Sequence, residues 1–113
     1  MKYLLFPASF LLMNSVYGVG TEVASVSSAR GVELENMLVQ DCGSCHGLKF
    51  RGGLGPALRP ENLQGKPRDF LITTILEGRA GTAMPPWNRL LTEEEAAWIA
   101  DRLLGGIDTG DGS

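Results

Sequence analysis

The sequence predicts a small all-α domain, and three observations support this fold class. Three stretches carry apolar residues at the three- and four-residue spacing of a helix, the segments between them are rich in glycine and proline, and no convincing strand pattern occurs. At 113 residues, 43% of them hydrophobic, the chain holds one domain. A Rossmann enzyme, a TIM barrel or a long repeat array is excluded, and a carrier or binding module is favoured.

The first predicted helix runs from Glu33 to Asp41 and ends near Cys45. Leu34, Met37 and Leu38 recur at helical spacing. Acidic residues near its start suit the positive end of the helix dipole. This segment leads directly into the two cysteines of the chain.

A glycine- and proline-rich loop is predicted from Gly47 to Pro60, and a second helix follows it. Pro67 suits the first helical position and Gly78 the position just after the last turn, which leaves room for about three turns. The predicted apolar stripe of this helix consists of Phe70, Leu71, Ile75 and Leu76.

The third helix is predicted from Thr92 to Leu104. Thr92 and Glu95 fit a capping box, and three consecutive glutamates suit the start of a helix. Gly105 ends the pattern, and residues 105–113 are predicted as a flexible C-terminal tail. The expected buried residues are Ala96, Trp98, Ile99, Leu103 and Leu104.

The first 20 residues have the features of a secretory signal peptide. A positive start is followed by ten mostly apolar residues from Leu4 to Met13, and Gly18 and Gly20 are small residues at which cleavage can occur. An uncleaved membrane anchor is the alternative, but a span needs about 18 apolar residues. We expect export to the periplasm, cleavage near residues 18–20, a mature domain over 21–104 and no membrane span after cleavage.

Both cysteines and the only histidine of the chain fall within Cys42–His46. The pattern C-x-x-C-H is the attachment motif of c-type haem. Two thiols three positions apart on a helical turn can both reach the vinyl groups of one porphyrin, and the adjacent imidazole lies beneath the iron. We therefore expect one haem c, bound covalently by Cys42 and Cys45, with His46 as an axial iron ligand.

Three other interpretations of this motif compete with haem. A disulfide between Cys42 and Cys45 would close a very small loop and stabilise little. A thioredoxin-type site usually begins a helix in a βαβ unit, whereas here the helical segment precedes the motif. A zinc site needs four ligands, and the chain has no second pair of cysteines or histidines.

Elimination points to Met84 as the second axial ligand. With one histidine in the chain, bis-histidine ligation is excluded and methionine is the next candidate. Met1 and Met13 leave with the signal peptide, and Met37 lies on the helix that leads into the motif. Met84 lies in Gly81–Trp87, where a glycine and two prolines restrict the backbone. A Met84 that only fills the core, a lysine ligand and an open iron site are the alternatives.

The order of helix, C-x-x-C-H, glycine-proline loop, helix, Gly-Thr-x-Met and helix resembles the class I cytochromes c over nearly the whole mature chain. The resemblance implies that the Pro56 carbonyl accepts the ring N–H of the histidine, that Thr82 bonds a haem propionate and that Met84 is the distal ligand. Trp87 is expected to pack beside the haem.

The resemblance also concerns the packing of the first helix on the last. Leu38 matches the position at which the family packs an apolar residue against an aromatic residue of the last helix, here Trp98. Leu34 stands where many class I members have a glycine that allows close helix contact.

A narrower resemblance is to the small periplasmic cytochromes c of the NirC type, which are encoded with cytochrome cd1 nitrite reductase. The segments that carry it are 41–48, 52–56, 74–79 and 81–87, which read DCGSCHGL, GGLGP, TILEGR and GTAMPPW. The resemblance implies a one-electron carrier, not an enzyme, whose partner is the nitrite reductase or a haem d1 maturation enzyme. A haem enzyme or gas sensor with an exchangeable distal site is one alternative, and a maturation partner that is not a general carrier is another.

The formal net charge of −3 conceals an uneven distribution of charge. Residues 21–45 and 91–113 carry net charges of −3 and −5, whereas residues 46–90 carry +4. The basic middle segment is expected to steer docking onto an acidic partner, although scattered solvated charges or partners for the propionates would give the same composition. An acidic mature chain does not favour nucleic-acid binding, and a monomer is expected.

Overall fold

The computed structural model describes residues 25–109, and helices are the regular elements in this range. In chain order they are α1 (Ser28–Met37), a π-helical turn (Leu38–Cys42), α2 (Gly43–His46), α3 (Pro60–Leu63), α4 (Arg68–Glu77) and α5 (Glu93–Gly105). No strand occurs between residues 25 and 109, which agrees with the predicted all-α class. The predicted signal peptide and residues 110–113 of the predicted tail lie outside the described residues.

Helix α1 begins at Ser28, five residues before the predicted start at Glu33. The Ser27 hydroxyl caps it by accepting a hydrogen bond from the Arg30 amide at 3.2 Å. The first turn contains no acidic residue, so the dipole argument for Glu33 was wrong. A π-helical turn then joins α1 to α2, and one continuous helical stretch ends at His46.

Helices α1, α4 and α5 supply most of the hydrophobic core. Leu34 of α1, Leu38 of the π-helical turn and Ile99 of α5 are the largest fully buried side chains. The other buried apolar residues are Phe50, Leu63, Leu71, Ile72, Ile75, Leu91, Ala96, Ala100 and Leu103. Trp98 and Leu104, which were predicted to be buried, are partly buried and pack against this cluster.

Many class I members have a glycine at the position of Leu34, where α1 meets the last helix. In this chain the glycine at the contact between α1 and α5 is Gly31. A Cβ built on Gly31 would lie 3.7 Å from Cζ2 of the Trp98 indole, so the indole lies almost on the α1 backbone. Two charged pairs flank this contact: the guanidinium of Arg30 with Glu95, and that of Arg102 with Glu35 at 2.7 and 2.9 Å.

Helix α4 spans Arg68–Glu77, and Pro67 is the extended residue that precedes it rather than its first residue. Leu71 and Ile75 are buried as predicted, and Ile72 joins them. Phe70 was placed in the apolar stripe, which was wrong because its side chain is 48% exposed. At about 100° per residue, Phe70 lies on the opposite side of the helix from the three buried residues.

Helix α5 has the predicted capping box. The Glu95 amide donates to the Thr92 hydroxyl at 3.2 Å, and the Thr92 amide donates to the Glu95 carboxylate at 2.9 Å. The helix ends at Gly105, and Ile107, within the predicted tail, packs against the core. The single turn α3 begins at Pro60, the last residue of the predicted loop, and was not expected.

Candidate haem-binding site

The two cysteines lie at the carboxyl end of the long helical stretch, Cys42 in the π-helical turn and Cys45 in α2. Both are free thiols in the structure, so no disulfide joins them. Burial raises the pKa of the Cys42 thiol to about 11, and the adjacent Asp41 carboxylate contributes to the increase. Cys45 is exposed, so the motif has one sheltered and one accessible thiol.

The imidazole of His46 is oriented by the backbone of the following loop. Its Nδ1 atom lies 2.7 Å from the carbonyl oxygen of Pro56, as the resemblance implied. Because a carbonyl only accepts hydrogen bonds, Nδ1 must carry the proton. The neutral ring then has its lone pair on Nε2, which is the atom available to a metal ion.

Gly55 also lies against this imidazole. A Cβ built on Gly55 would lie 2.7 Å from both Cε1 and Nδ1 of His46, so only glycine leaves room for the ring. The Gly55 amide donates to the Cys45 carbonyl at 2.8 Å, and the Gly52 amide donates to the His46 carbonyl at 2.8 Å. These bonds satisfy carbonyls that the end of a helix leaves without partners, and they hold the loop under the motif.

Close backbone contacts also require glycine at the start of this loop. Gly47 has a φ of 93°, and a Cβ there would lie 2.8 Å from the Gly52 carbonyl oxygen. A Cβ on Gly53 would lie 2.8 Å from the Cys45 carbonyl oxygen. The loop therefore packs by its backbone against the end of α2, which explains its glycine content.

The segment that contains Met84 is attached to the last turn of α4 by backbone hydrogen bonds. The Trp87 amide donates to the Ile75 carbonyl at 3.1 Å, and the Asn88 amide donates to the Leu76 carbonyl at 3.2 Å. These carbonyls belong to the last helical turn and have no partner within the helix. Met84 and Trp87 are partly buried, and Trp87 packs against the core.

Gly78 allows this segment to lie directly on the end of α4. Its φ of 67° favours glycine, and a Cβ there would lie 2.6 Å from the Pro85 carbonyl carbon and 2.7 Å from the Met84 carbonyl oxygen. Just beyond it, the Arg79 amide donates to the Met84 carbonyl at 3.2 Å. The backbone on both sides of Met84 is thus tied to the same helix end.

The hydroxyl of Thr82 is directed into the same segment. It donates to the Arg79 carbonyl at 2.7 Å and accepts from the Met84 amide at 3.3 Å. The bond from Thr82 to a haem propionate, which the resemblance implied, stays a prediction.

The charged residues within the two ligand segments are all positive. Residues 42–58 contain Lys49 and Arg51 but no acidic residue, and residues 78–88 contain Arg79 but no acidic residue. Of the other basic residues in the middle of the chain, Arg59 pairs with Glu61 at 3.3 Å and Arg68 pairs with Asp101 at 2.6 Å. The segments that carry the candidate ligands are therefore locally basic in an acidic chain.

The donor set fits haem better than a bare metal ion. Two thiols, an imidazole with a free Nε2 and a thioether match the covalent and axial attachments of c-type haem. Residues 25–109 contain no group of three or more histidines, cysteines, aspartates or glutamates that could hold a metal ion. In the same range, no helix has the length and apolar character needed to cross a membrane.

Several residues of this region were missed in the sequence. Gly55 was noted only as part of a glycine-proline pair, and its contact with His46 was not foreseen. Gly78 was predicted to end a helix, but not to support the Met84 backbone. The signal in both cases is a glycine beside a candidate ligand segment, which indicates either a positive φ or a close approach.

An all-helical fold with a C-x-x-C-H motif at a helix end and a separate methionine segment defines a class of protein, the class I c-type cytochromes. The sequence matches the family described as cytochrome c oxidase, cbb3-type, subunit III, over residues 29–101. It is 58% identical to a cytochrome c55X of Pseudomonas aeruginosa over 77 residues, which are 68% of this chain and 65% of that protein. The match therefore spans slightly less than two thirds of that relative.

Solved structures agree with this family. A c-type cytochrome NirC is 54% identical, with a TM-score of 0.69 and coverage of 70% of this chain and 93% of that chain. A dihydro-haem d1 dehydrogenase, NirN, in complex with DHE, is 32% identical with a TM-score of 0.60, over 65% of this chain and 16% of that chain. The chain belongs to the NirC type of class I c-type cytochromes, which are electron carriers with covalently bound haem c.

Proposed function

We propose that this chain is a periplasmic one-electron carrier, and not an enzyme, in which His46 and Met84 are the axial ligands of one haem c. Cys42 and Cys45 form the thioether bonds, and Pro56, Thr82 and Trp87 belong to the haem surroundings. The hydrogen bond between His46 Nδ1 and the Pro56 carbonyl carries this proposal, because it leaves Nε2 free to bind iron. The bound haem supplies an iron that gains and loses one electron.

Two protein ligands leave no iron position for a substrate, which suits a carrier. Both candidate ligands are held by backbone contacts that need no rearrangement between oxidation states. His46 is oriented by Pro56 and Gly55, and the Met84 backbone is bonded to Arg79. A thioether ligand also raises the reduction potential relative to bis-histidine ligation.

Substitution of Met84 tests the ligation. Met84→Ala should abolish the weak far-red absorption band of methionine-ligated ferric haem, lower the reduction potential and allow carbon monoxide to bind the reduced protein rapidly. Met37→Ala is the matched control, because Met37 is a partly buried methionine of α1 and should leave all three properties unchanged. An unchanged spectrum and potential in Met84→Ala would show that Met84 is not the ligand.

The wild-type protein separates the carrier from the alternative function. A haem enzyme or gas sensor has an exchangeable distal site, so the reduced wild type would bind carbon monoxide rapidly. A carrier with both axial positions filled should bind it slowly. Covalent haem itself is checked by the pyridine haemochrome spectrum, and a chain without covalent haem would contradict the whole proposal.

We propose that the redox partner belongs to the haem d1 system, either cytochrome cd1 nitrite reductase or an enzyme that completes haem d1. The likeness to a NirC and to part of a dihydro-haem d1 dehydrogenase supports this choice. Electron flow should be reconstituted separately with each purified enzyme. Transfer to one enzyme alone identifies the partner, and transfer to neither contradicts the assignment.

We further propose that residues 1–20 are a signal peptide that directs export to the periplasm, and that the mature domain spans residues 21–104. The positive start and short apolar stretch of the sequence support this. The amino-terminal sequence of the protein recovered from a periplasmic extract should begin near residues 19–21. A protein that keeps Met1 in that extract would contradict cleavage.

A further inference from the structure

In the Met84 segment, the side chain of Thr82 is held by hydrogen bonds to the backbone around Met84 and not by packing against the core. Thr82 is exposed, so burial does not account for its orientation. Its hydroxyl donates to the Arg79 carbonyl at 2.7 Å, and the same oxygen accepts the Met84 amide at 3.3 Å. The Thr82 amide also donates to the Arg79 carbonyl, at 3.1 Å.

These bonds make Thr82 a bridge across the turn that precedes Met84. The carbonyl of Arg79 receives two hydrogen bonds from one residue, and the amide of Met84 is held by the same residue. Two hydrogen bonds fix the main chain of Met84. Its amide donates to the Thr82 hydroxyl, and its carbonyl accepts from the Arg79 amide. The turn can therefore be loosened at one hydroxyl without removing a ligand.

We infer that Thr82 is a positioning residue for Met84: its hydroxyl holds the backbone so that the thioether stays on the iron. This rests on the proposed ligation by Met84. It assigns the hydroxyl a task in addition to the propionate bond that the family resemblance implied. Loss of the hydroxyl should raise the fraction of time in which the thioether is detached.

The test compares Thr82→Val, which keeps the shape of the side chain but has no hydroxyl, with Thr82→Ser, which keeps the hydroxyl. The probe is cyanide added to the ferric holoprotein, because it binds only when the thioether leaves the iron. Thr82→Val loses the two hydrogen bonds of the hydroxyl, to the Arg79 carbonyl and from the Met84 amide. This loss should accelerate cyanide binding by about tenfold. The reduction potential should fall, since a detached thioether favours the ferric state, and Thr82→Ser should behave as the wild type.

Thr92→Val is the matched control. Thr92 also has a hydroxyl that accepts an amide hydrogen bond, but it caps α5 and bonds to Glu95 rather than to Met84 or Arg79. This variant should lose stability in urea by as much as Thr82→Val, yet bind cyanide at the wild-type rate. Equal acceleration in both variants would show that cyanide reports general loosening and would overturn the inference.

The outcomes separate this inference from the proposed ligation. A wild-type ferric protein without the far-red band overturns both. In a second outcome, the wild type shows the far-red band while Thr82→Val has the wild-type rate of cyanide binding and reduction potential. That result overturns only the role of Thr82. If Thr82→Val yields no holoprotein, amide hydrogen exchange in the wild type decides: the Met84 amide should be protected relative to that of Ala83, and equal exchange would overturn the inference.

Discussion

The backbone of Gly55 lies against the imidazole of His46, so closely that a Cβ would stand 2.7 Å from Cε1 and Nδ1. The same ring donates through Nδ1 to the Pro56 carbonyl one residue further along. Two adjacent residues therefore fix the tilt and the rotation of the candidate proximal ligand. Every contact involved is made by the backbone of the loop.

Gly55→Ala should displace the imidazole. The added methyl group cannot occupy its position without moving the ring, and overpacking of this kind costs about 1–3 kcal/mol. We expect lower stability of the holoprotein in urea and a changed ferric spectrum. Gly105→Ala is the control, because nothing lies within 4 Å of a Cβ at that position. A Gly55→Ala protein with the wild-type spectrum and stability would contradict the contact.

Gly78→Ala should disturb the Met84 segment more than backbone strain alone explains. A Cβ at Gly78 would approach the Met84–Pro86 backbone to 2.6–2.7 Å, in addition to the strain of a φ of 67°. Gly81→Ala separates the two effects, because Gly81 has a φ of 77° but no atom within 4 Å of a Cβ. We expect loss of the far-red band in Gly78→Ala only. Gly81→Ala should cost about 1–2 kcal/mol in urea unfolding from strain.

The contact between Gly31 and Trp98 should accept a small side chain at position 31 but not a large one. A Cβ at Gly31 would lie 3.7 Å from the indole, an ordinary contact distance. Since glycine inside a helix is unfavourable relative to alanine, Gly31→Ala should stabilise the protein by roughly 0.5–1 kcal/mol. Gly31→Leu should destabilise it by about 1–3 kcal/mol because the indole must move. The free energy of unfolding in urea measures both, and equal effects would show that the indole is not in contact.

Stability should fall in acid because carboxylates are paired across helices. The hydrogen bond from Arg102 lowers the pKa of Glu35, and those from Arg30 and the Thr92 amide lower the pKa of Glu95, both from an ordinary value of 4.5. A carboxylate with a lowered pKa stabilises the folded state above the unfolded value, and this contribution is lost as the pH falls through the folded value.

The free energy of unfolding should therefore decline as the pH falls below about 4.5, measured by urea titrations at successive pH values. Glu35→Gln should reduce the steepness of this decline. Glu77→Gln is the control, because Glu77 is an exposed carboxylate at the end of α4. A decline that is equally steep in wild type and Glu35→Gln would contradict the stabilising role of the Arg102 pair.

The positive charges beside the Met84 segment should attract an anionic oxidant. Arg89 is exposed and follows Trp87 by two residues. Arg89→Gln should slow oxidation of the ferrous protein by ferricyanide about twofold at low ionic strength and reduce the dependence of the rate on salt. Arg68→Gln removes the same charge, but Arg68 is paired with Asp101 at 2.6 Å and should have the smaller effect. Equal effects of both variants would show that net charge, rather than position, governs the rate.

What the sequence predicted well was local. The haem motif occupies five consecutive residues, and the capping box of α5 lies within Thr92–Glu95, so a short window contains the whole signal. The contact between Gly31 and Trp98 joins residues far apart in the chain, and no sequence pattern near either residue predicts it. The start of α1 was missed because the residues after Ser27 have little apolar periodicity, although the serine is itself a capping signal.

The sequence names candidate donor atoms for the site, but it does not show the backbone contacts that support them. Met84 followed from elimination, since the chain has four methionines and three are placed elsewhere. The destination of the Thr82 hydroxyl depends on how the turn from Arg79 to Met84 closes, which is a property of the folded backbone. The resemblance implied a haem propionate as its partner, and the structure adds the Arg79 carbonyl.

The attachment of the Met84 segment to α4 is made largely by main-chain atoms of Arg79, Trp87 and Asn88. Apart from Thr82, such an attachment does not depend on the identity of the exposed side chains of this segment, such as Ala83 and Asn88. Mutation can therefore change the exposed side chains next to Met84 while the backbone of the segment stays in place. Partner choice and ligand geometry are free to evolve, or to be engineered, independently of each other.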